Sequence, residues 1–349
     1  MRKIRIGIIC PSEIAFRRFL PSIKKSDGFE YVGVSYATDE EWFGEDWCNV
    51  DDECRKRIMT AEREKAEKFQ KEFGGEVIKG YGQMAGSEKV DAIYLPLPPA
   101  MHFKWAELAL QCGKHVLVEK PSTLCMEDTQ HLVALAEQKG LALHENYMFV
   151  FHNQIKAVSD IINSGVIGDV RLYRITFGFP QRAETDFRYN KSLGGGALLD
   201  AGGYTIKLAT MLLGDDVQLT SATAGYKSGF GVDIYGAATM ENGSGIVAQL
   251  AFGMDNDYRC DLEVWGSKGS FSTNRIMTAP DGFVPTYTIK KNQEVETGIL
   301  PSDDAFQKSI EHFGLCVRDV EVRKSNYQVM LLQERLIEKY KQIIDNYEN

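Results

Sequence analysis

The feature that most constrains this chain is the rhythm of its first 146 residues, where short apolar runs alternate with helical patterns closed by glycine. Strands of a parallel sheet are buried on both faces, so they read as continuous apolar runs, and each needs a crossover before the next. Ile4–Ile9 is such a run, followed by a predicted helix over Ile14–Lys24. Tyr31–Ser35 reads as the second strand. A charged helix over Glu62–Phe73 follows and stops at Gly74-Gly75, where a left-handed C-cap is expected. Val90–Leu95, His115–Glu119 and Ala142–Asn146 read as further strands, with helices predicted over His102–Cys112 and Glu127–Lys139. Five or six βα units of this kind predict an α/β fold with a Rossmann-type, doubly wound parallel sheet.

Beyond about residue 150 the texture changes. A helix over Asn153–Ser164 precedes strand patterns at Val170–Phe179, Val232–Met240, Ile246–Phe252, Cys260–Gly266, Phe271–Arg275 and Val284–Lys290. Asn242-Gly243 and Gly266-Ser267-Lys268-Gly269 are hairpin turn signals. The expected organisation is a dinucleotide-binding domain over 1–148 and an α+β domain over 149–349 with a largely antiparallel open sheet. The last helix, apolar at Val329, Leu332, Leu336, Tyr340 and Ile343, is a candidate to pack back on the first domain. One segment breaks the rhythm. Glu40 to Met59, with Trp42, Trp47, Cys48 and Cys54, reads as an insertion over the cofactor edge or as a subunit contact.

Forty basic against forty-nine acidic residues, a net charge of −9, argue against a nucleic-acid or membrane-surface binder. No apolar stretch approaches the ~20 residues of a membrane helix, and Met1-Arg2-Lys3 runs directly into the first strand, so no secretory leader is expected. Seven scattered cysteines never form Cys-x-x-Cys and read as reduced thiols of a cytoplasmic protein. His312 and Cys316 fall four apart on a predicted helix, but two ligands without a second pair do not make metal spacing, and no metal is expected.

Three segments carry chemistry. The first βα turn, where a dinucleotide fold places Gly-x-Gly-x-x-Gly, reads Cys10-Pro11-Ser12-Glu13-Ile14-Ala15. Small residues keep the turn tight and Ser12 can cap the helix, yet Pro11 lacks an N–H and Glu13 brings negative charge. A purely structural turn stays open. Val118-Glu119-Lys120-Pro121 lies at a strand's carboxyl end, where such sheets bind ligands, and Lys120 there supplies fixed positive charge. Gly194-Gly195-Gly196 opens a helix carrying Asp200 and Tyr204 at i and i+4, on one face, as substrate anchoring and proton donation require. A glycine hinge with a capping Asp is the plainer alternative.

Taken in order, these marks resemble the glucose–fructose oxidoreductase / inositol dehydrogenase (Gfo/Idh/MocA) family of dehydrogenases. They are Ile6–Ile9 with Ile14-Ala15, Leu97–His102, Gly113–Pro121, Glu145–Phe149 with Phe151-His152, Gly165–Val170 and Gly194–Tyr204. The resemblance implies that Lys120 is the active-site lysine and Asp200 an active-site carboxylate. Tyr204 stands where many members carry His, as in the subgroup that includes dihydrodiol dehydrogenases and nucleotide-sugar ketoreductases. It implies cofactor contacts from Cys10, Ser12, Glu13, Ile14, Ser35, Tyr36, Leu97, Pro98, His102, Glu119 and Lys120, and substrate contacts from Tyr147, Arg188, Asp200 and Tyr204. Pro99 and Val150 depart from the family's more usual Asn and Arg.

The implied activity is NAD(P)-dependent hydride transfer to or from a carbonyl or secondary alcohol of a sugar, deoxysugar or polyol, nucleotide-activated forms included. An NAD-dependent glycoside hydrolase and a non-catalytic sugar or nucleotide sensor stay open. A phenol with an ordinary pKa near ~10 is a neutral donor at pH 7, as ketone reduction requires. Lys120 is expected to polarise the oxygen in a cleft lined by Lys120, His102, Tyr147, Asp200 and Tyr204. The second strand ends Ser35-Tyr36-Ala37-Thr38, without the acid that favours NAD at Tyr36, so the balance tilts slightly to NADP. Ser35 and Thr38 are candidates for its 2′-phosphate. The open face of the second sheet needs cover, which predicts a homodimer or homotetramer through it.

Overall fold

The structure, a computed structural model, describes residues 2–44 and 48–348; Trp47 of the expected insertion lies outside them. The chain forms two compact units. The first is Met1–Thr123, Glu127–Asn146 and Ile310–Met330, and the second is Leu124–Met126, Tyr147–Ser309 and Leu331–Asn349.

In the first unit six strands lie in one sheet: β1 (Ile4–Ile9), β2 (Phe29–Tyr36), β3 (Glu76–Lys79), β4 (Ala92–Leu95), β5 (His115–Val118) and β6 (Leu143–Glu145). The order is β3-β2-β1-β4-β5-β6 and every pairing is parallel. This is the doubly wound order, and its topological switch point falls between β1 and β4. Ile6, Ile8, Val34, Ile93, Leu117 and Val118 are fully buried, as strands covered on both faces require. β3 escapes the sequence reading because its four residues are exposed or only half-buried, which leaves no apolar run.

The Glu40–Met59 segment is not a separate insertion. Its first part is a short helix, Asp39–Phe43, opened by a capping box between Thr38 and Glu41. The Glu41 carboxylate also accepts from the backbone N–H groups of Tyr81 and Gly82, both at 2.9 Å. Its last part begins the helix Asp52–Phe73, capped where Asp51 accepts from Cys54 N–H at 2.9 Å. That helix therefore starts ten residues earlier than the apolar spacing indicates, because its first turns are solvated and carry no periodic signal.

The second unit holds eight strands: β7 (Val170–Gly178), β8 (Gln218–Tyr226), β9 (Asp233–Glu241), β10 (Val247–Gly253), β11 (Arg259–Gly266), β12 (Ser270–Asn274), β13 (Thr286–Lys291) and β14 (Glu294–Ile299). Their order is β14-β13-β12-β11-β7-β10-β9-β8. All neighbours are antiparallel except β7 and β10, which pair in parallel. Burial alternates along the strands: Ile234, Ala238 and Met240 of β9 face in while Tyr235 faces out. The inward residues share one core with Ile155 and Val158 of the helix Asn153–Asn163 and with Ile206 and Ala209 of the helix Gly203–Leu213. Among the described residues no helix is long and apolar enough to cross a membrane.

Candidate active site

In the first unit the carboxyl ends of β1, β4 and β5 are neighbours, and each is followed by a turn with expected site residues. After β1, Cys10 has φ +82°, a left-handed conformation that explains why glycine is usual there. Burial pushes its thiol up to about 12, against a hydrogen bond with Tyr81. Ser12 Oγ accepts from Ala15 N–H at 3.2 Å, the expected cap. Glu13 is exposed and pairs with Arg17 at 3.4 Å, one turn further on. The helix then widens into a π turn at Ala15–Phe19. By helix geometry the N–H groups of Glu13 and Ile14 have no intrahelical acceptor.

After β4, the carbonyl of Leu97 lies 2.7 Å from His102 Nε2, and the carbonyl of Pro121, after β5, lies 2.7 Å from His102 Nδ1. Burial drives this imidazole down to about 4, helped by the charge of Lys120 and opposed by the two carbonyls. A neutral ring satisfies only one of the two at a time, and it holds both turns together. Pro98 precedes the 3-10 turn Pro99–Met101 that leads into the His102 helix. Glu119 accepts from Tyr94 Oη at 2.6 Å and Asn146 Nδ2 at 2.7 Å. Burial raises its carboxyl, and those bonds and Lys120 oppose the rise. Lys120 is half-buried at the mouth of this network, and its peptide bond to Pro121 is cis.

At the end of β2 the arrangement differs from expectation. Ser35 is fully buried and its hydroxyl donates to Ile8 O at 3.3 Å, so it sits inside the sheet. Thr38 Oγ1 accepts from Glu41 N–H at 3.2 Å. Neither hydroxyl has the setting of a phosphate ligand. Tyr36 is half-buried, and Arg63 of the helix Asp52–Phe73 lies close enough to interact with it electrostatically. Arg63 also donates to Glu67 Oε1 at 2.7 Å. No local spacing links Arg63 to Tyr36, so the pair leaves no mark in the sequence.

In the second unit Asp200, Tyr204, Tyr147 and Arg188 form one neighbourhood. Leu198–Gly202 is a π turn that carries Asp200 and runs into the helix of Tyr204. Such widened turns recur at functional sites. The Tyr204 ring stands among Tyr147, Phe177 and Phe149, with centroids at 5.2, 5.3 and 5.7 Å. Arg188 Nε donates to Asp200 Oδ2 at 2.6 Å, and its Nη1 donates to Asp186 Oδ1 at 3.1 Å. The two carboxylates hold the guanidinium pKa up despite its burial. Arg188 therefore serves Asp200. The triple glycine has a packing reason: a Cβ on Gly195 would lie 2.4 Å from the Arg188 carbonyl, and Gly196 has φ +126°. Asp233 of β9, unremarked in the sequence, accepts from Leu198 N–H at 2.7 Å and so caps the turn that carries Asp200.

Residues 28–147 match the model described as an oxidoreductase family with an NAD-binding Rossmann fold, and residues 155–272 match the GFO/IDH/MocA C-terminal domain. The altered turn Cys10–Ala15 lies outside both matches. Among curated proteins the chain is 37% identical over 319 residues to the dTDP-3,4-didehydro-2,6-dideoxy-alpha-D-glucose 3-reductase of Streptomyces violaceoruber, covering 91% of this chain and 86% of that one. It is 34% identical over 335 residues to the enzyme of the same name from Actinomadura kijaniata, covering 96% and 94%. Among solved structures, KijD10, a 3-ketoreductase from Actinomadura kijaniata in complex with NADP and TDP-benzene, superposes with a TM-score of 0.88 at 33% identity, covering 98% of each chain. KijD10 has also been solved with one tyrosine replaced by phenylalanine and, separately, one lysine replaced by alanine. Fold, motif order and both matches define the class as an oxidoreductase with an NAD-binding Rossmann domain and a separate α+β domain. Within that class, the chain belongs to the GFO/IDH/MocA family.

Proposed function

We propose that this chain is an NADPH-dependent reductase of a ring ketone on a nucleotide-linked deoxyhexose, with Lys120, Asp200 and Tyr204 as its reacting residues. One observation carries the assignment. The lysine and the tyrosine replaced in the KijD10 variants stand the same number of residues apart as Lys120 and Tyr204 do here. The names of the long-matching relatives supply the substrate class.

The residues present fit a dinucleotide. The β1–β4 switch point, the left-handed turn at Cys10 and the unpaired helical N–H groups of Glu13 and Ile14 suit a pyrophosphate. Tyr36 offers a flat face for the adenosine end, and Arg63 beside it offers positive charge for a 2′-phosphate. When bound, NADPH supplies the hydride that reduces the carbonyl carbon.

The chain's own residues do the rest. Tyr204 gives its hydroxyl proton to the carbonyl oxygen as the C=O π pair settles there. Lys120 is assigned the positive charge that this oxygen and the remaining phenolate require, and the phenolate regains a proton from solvent. Asp200, held by Arg188, accepts a hydrogen bond from a sugar hydroxyl and sets the ring's orientation. Tyr147 walls the Tyr204 side chain. His102 and Glu119 position Lys120 through the turns they hold. The reading also assigns a cytoplasmic, homo-oligomeric enzyme.

The test is a ketoreductase assay with the thymidine-diphosphate-linked 3,4-diketo-2,6-dideoxyhexose, generated in the cuvette. Wild type should oxidise NADPH. Tyr204→Phe should lose about 10²- to 10⁴-fold in kcat with little change in KM, the usual worth of a general acid. Full hydride-transfer rate in Tyr204→Phe would remove the assignment.

A further inference from the structure

The helix Ala305–Arg318 carries His312 and Cys316 at i and i+4, hence on one face. His144, the middle residue of β6, reaches the same place from the sheet. One ligand atom from each of the three side chains lies within 4.8 Å of the other two. All three residues belong to the first unit, and none enters the reduction chemistry proposed above.

The setting is apolar. His144 and Cys316 are buried, Phe313 stacks on Phe29 with centroids 6.2 Å apart, and Phe313 lies 6.4 Å from the His144 ring. The two imidazoles are 5.3 Å apart, centroid to centroid. Asn326 fixes the chemistry of His144. Its Nδ2 donates to Leu143 O at 2.7 Å, which turns its Oδ1 onto His144 Nδ1, also at 2.7 Å. An amide oxygen only accepts, so Nδ1 carries the hydrogen and the ring's lone pair is on Nε2. Metal-ligating histidines are typically held this way, with the other ring N–H donated to an oxygen. Burial pushes the Cys316 thiol up to about 12, and the charge of Arg323, whose Nε donates to Cys316 O at 2.8 Å, opposes that rise.

We infer that His144, His312 and Cys316 form a binding site for a borderline divalent cation, zinc foremost, that joins β6 to the helix Ala305–Arg318. Two imidazole nitrogens with one sulfur select zinc over the hard cations magnesium and calcium. Tetrahedral zinc with Zn–N of ~2.0–2.1 Å and Zn–S of ~2.3 Å sets its ligand atoms roughly 3.3–3.8 Å apart. The three ligand atoms, all within 4.8 Å of one another, already converge on one point from β6 and the helix. The metal–sulfur bond forms as the Cys316 S–H bond breaks, with the proton released to solvent and no change of oxidation state. Three protein ligands leave a fourth position for water.

The test uses full-length protein stripped with chelator and titrated with cobalt(II), then with zinc. The expected result is one equivalent bound, with thiolate-to-cobalt charge transfer in the near ultraviolet and visible bands of four-coordinate cobalt, both abolished by zinc. Cys316→Ser should lose the charge-transfer band, and His312→Gln should weaken cobalt binding at least tenfold. Cys112→Ser, at an exposed thiol, should keep both. Circular dichroism confirms that each variant is folded, and the His312→Gln arm decides the matter if Cys316→Ser is not. Absence of the band in folded wild type, or its survival in folded Cys316→Ser, overturns the site.

Discussion

Arg63 separates NADPH from NADH in this reading. It sits on a solvated helix face and is held by Glu67 while acting on Tyr36. Arg63→Ala should weaken NADPH binding about tenfold and leave NADH binding within about twofold, as read by fluorescence titration of both reduced cofactors. Equal losses for the two would show that Arg63 does not meet the 2′-phosphate. At this scale the sequence was half legible. Lys120, Asp200 and Tyr204 stand out because their chemistry lies beside a strand end or a glycine run. Their supports do so less: Asp186 carries no mark, and Arg188, expected as a substrate contact, is set by folding against both Asp186 and Asp200. Asp233 is an ordinary strand residue until it caps the Asp200 turn. Ser35 misled because its place along the strand says nothing about the side its hydroxyl faces. That side is Ile8, inside the sheet.

Among the elements, β5 carries a testable acid sensitivity. His115 Nδ1 accepts from Ala142 N–H at 2.8 Å, so the folded state needs this ring neutral. Burial, with the nearby Arg323 charge, lowers its pKa from 6.5 to about 4, against a smaller pull from Asp91. The unfolded chain therefore takes up this proton first as pH falls. The contribution is complete above about pH 6.5 and is lost as pH drops toward about 4. The slope is roughly 1 kcal/mol per pH unit inside that window. His115→Asn retains an acceptor without a titrating ring, and should flatten the fall in urea midpoint between pH 7 and pH 5. His102, which shifts in the same direction, is present in both proteins and cancels. An unchanged pH slope would assign the sensitivity elsewhere. The strands that sequence pattern missed are the outer ones, β3, β8 and β14. Every residue of β14 is exposed or half-buried, and an apolar periodicity cannot mark a strand that buries nothing. The central strands of both sheets were legible because burial wrote itself into their residues.

For the molecule as a whole, the second sheet leaves large side chains in solvent, Trp265 at 57% and Tyr235 at 53% exposure among them. An open face with aromatic residues at that exposure invites a second copy of the chain. Wild type should sediment as a homodimer or larger at micromolar concentration, and Trp265→Glu should weaken that association at least tenfold with the fold intact by circular dichroism. A wild type that sediments only as monomer would remove the expectation.

The return of Ile310–Met330 to the first unit bears on how the protein is made. Asn326 Nδ2 caps the Leu143 carbonyl, the Tyr327 hydroxyl caps that of Leu141, and the Arg323 guanidinium caps that of Gly140. On a ribosome adding about 5–20 residues per second, those partners emerge only after the whole of 147–309 has been translated. The nascent first unit must wait, incomplete along β6, while the later-born unit already has most of its chain. For the same reason a gene fusion that exchanges residues 1–146 alone with a relative would graft a sheet without its keystone, and a working chimera needs its second crossover near Met330.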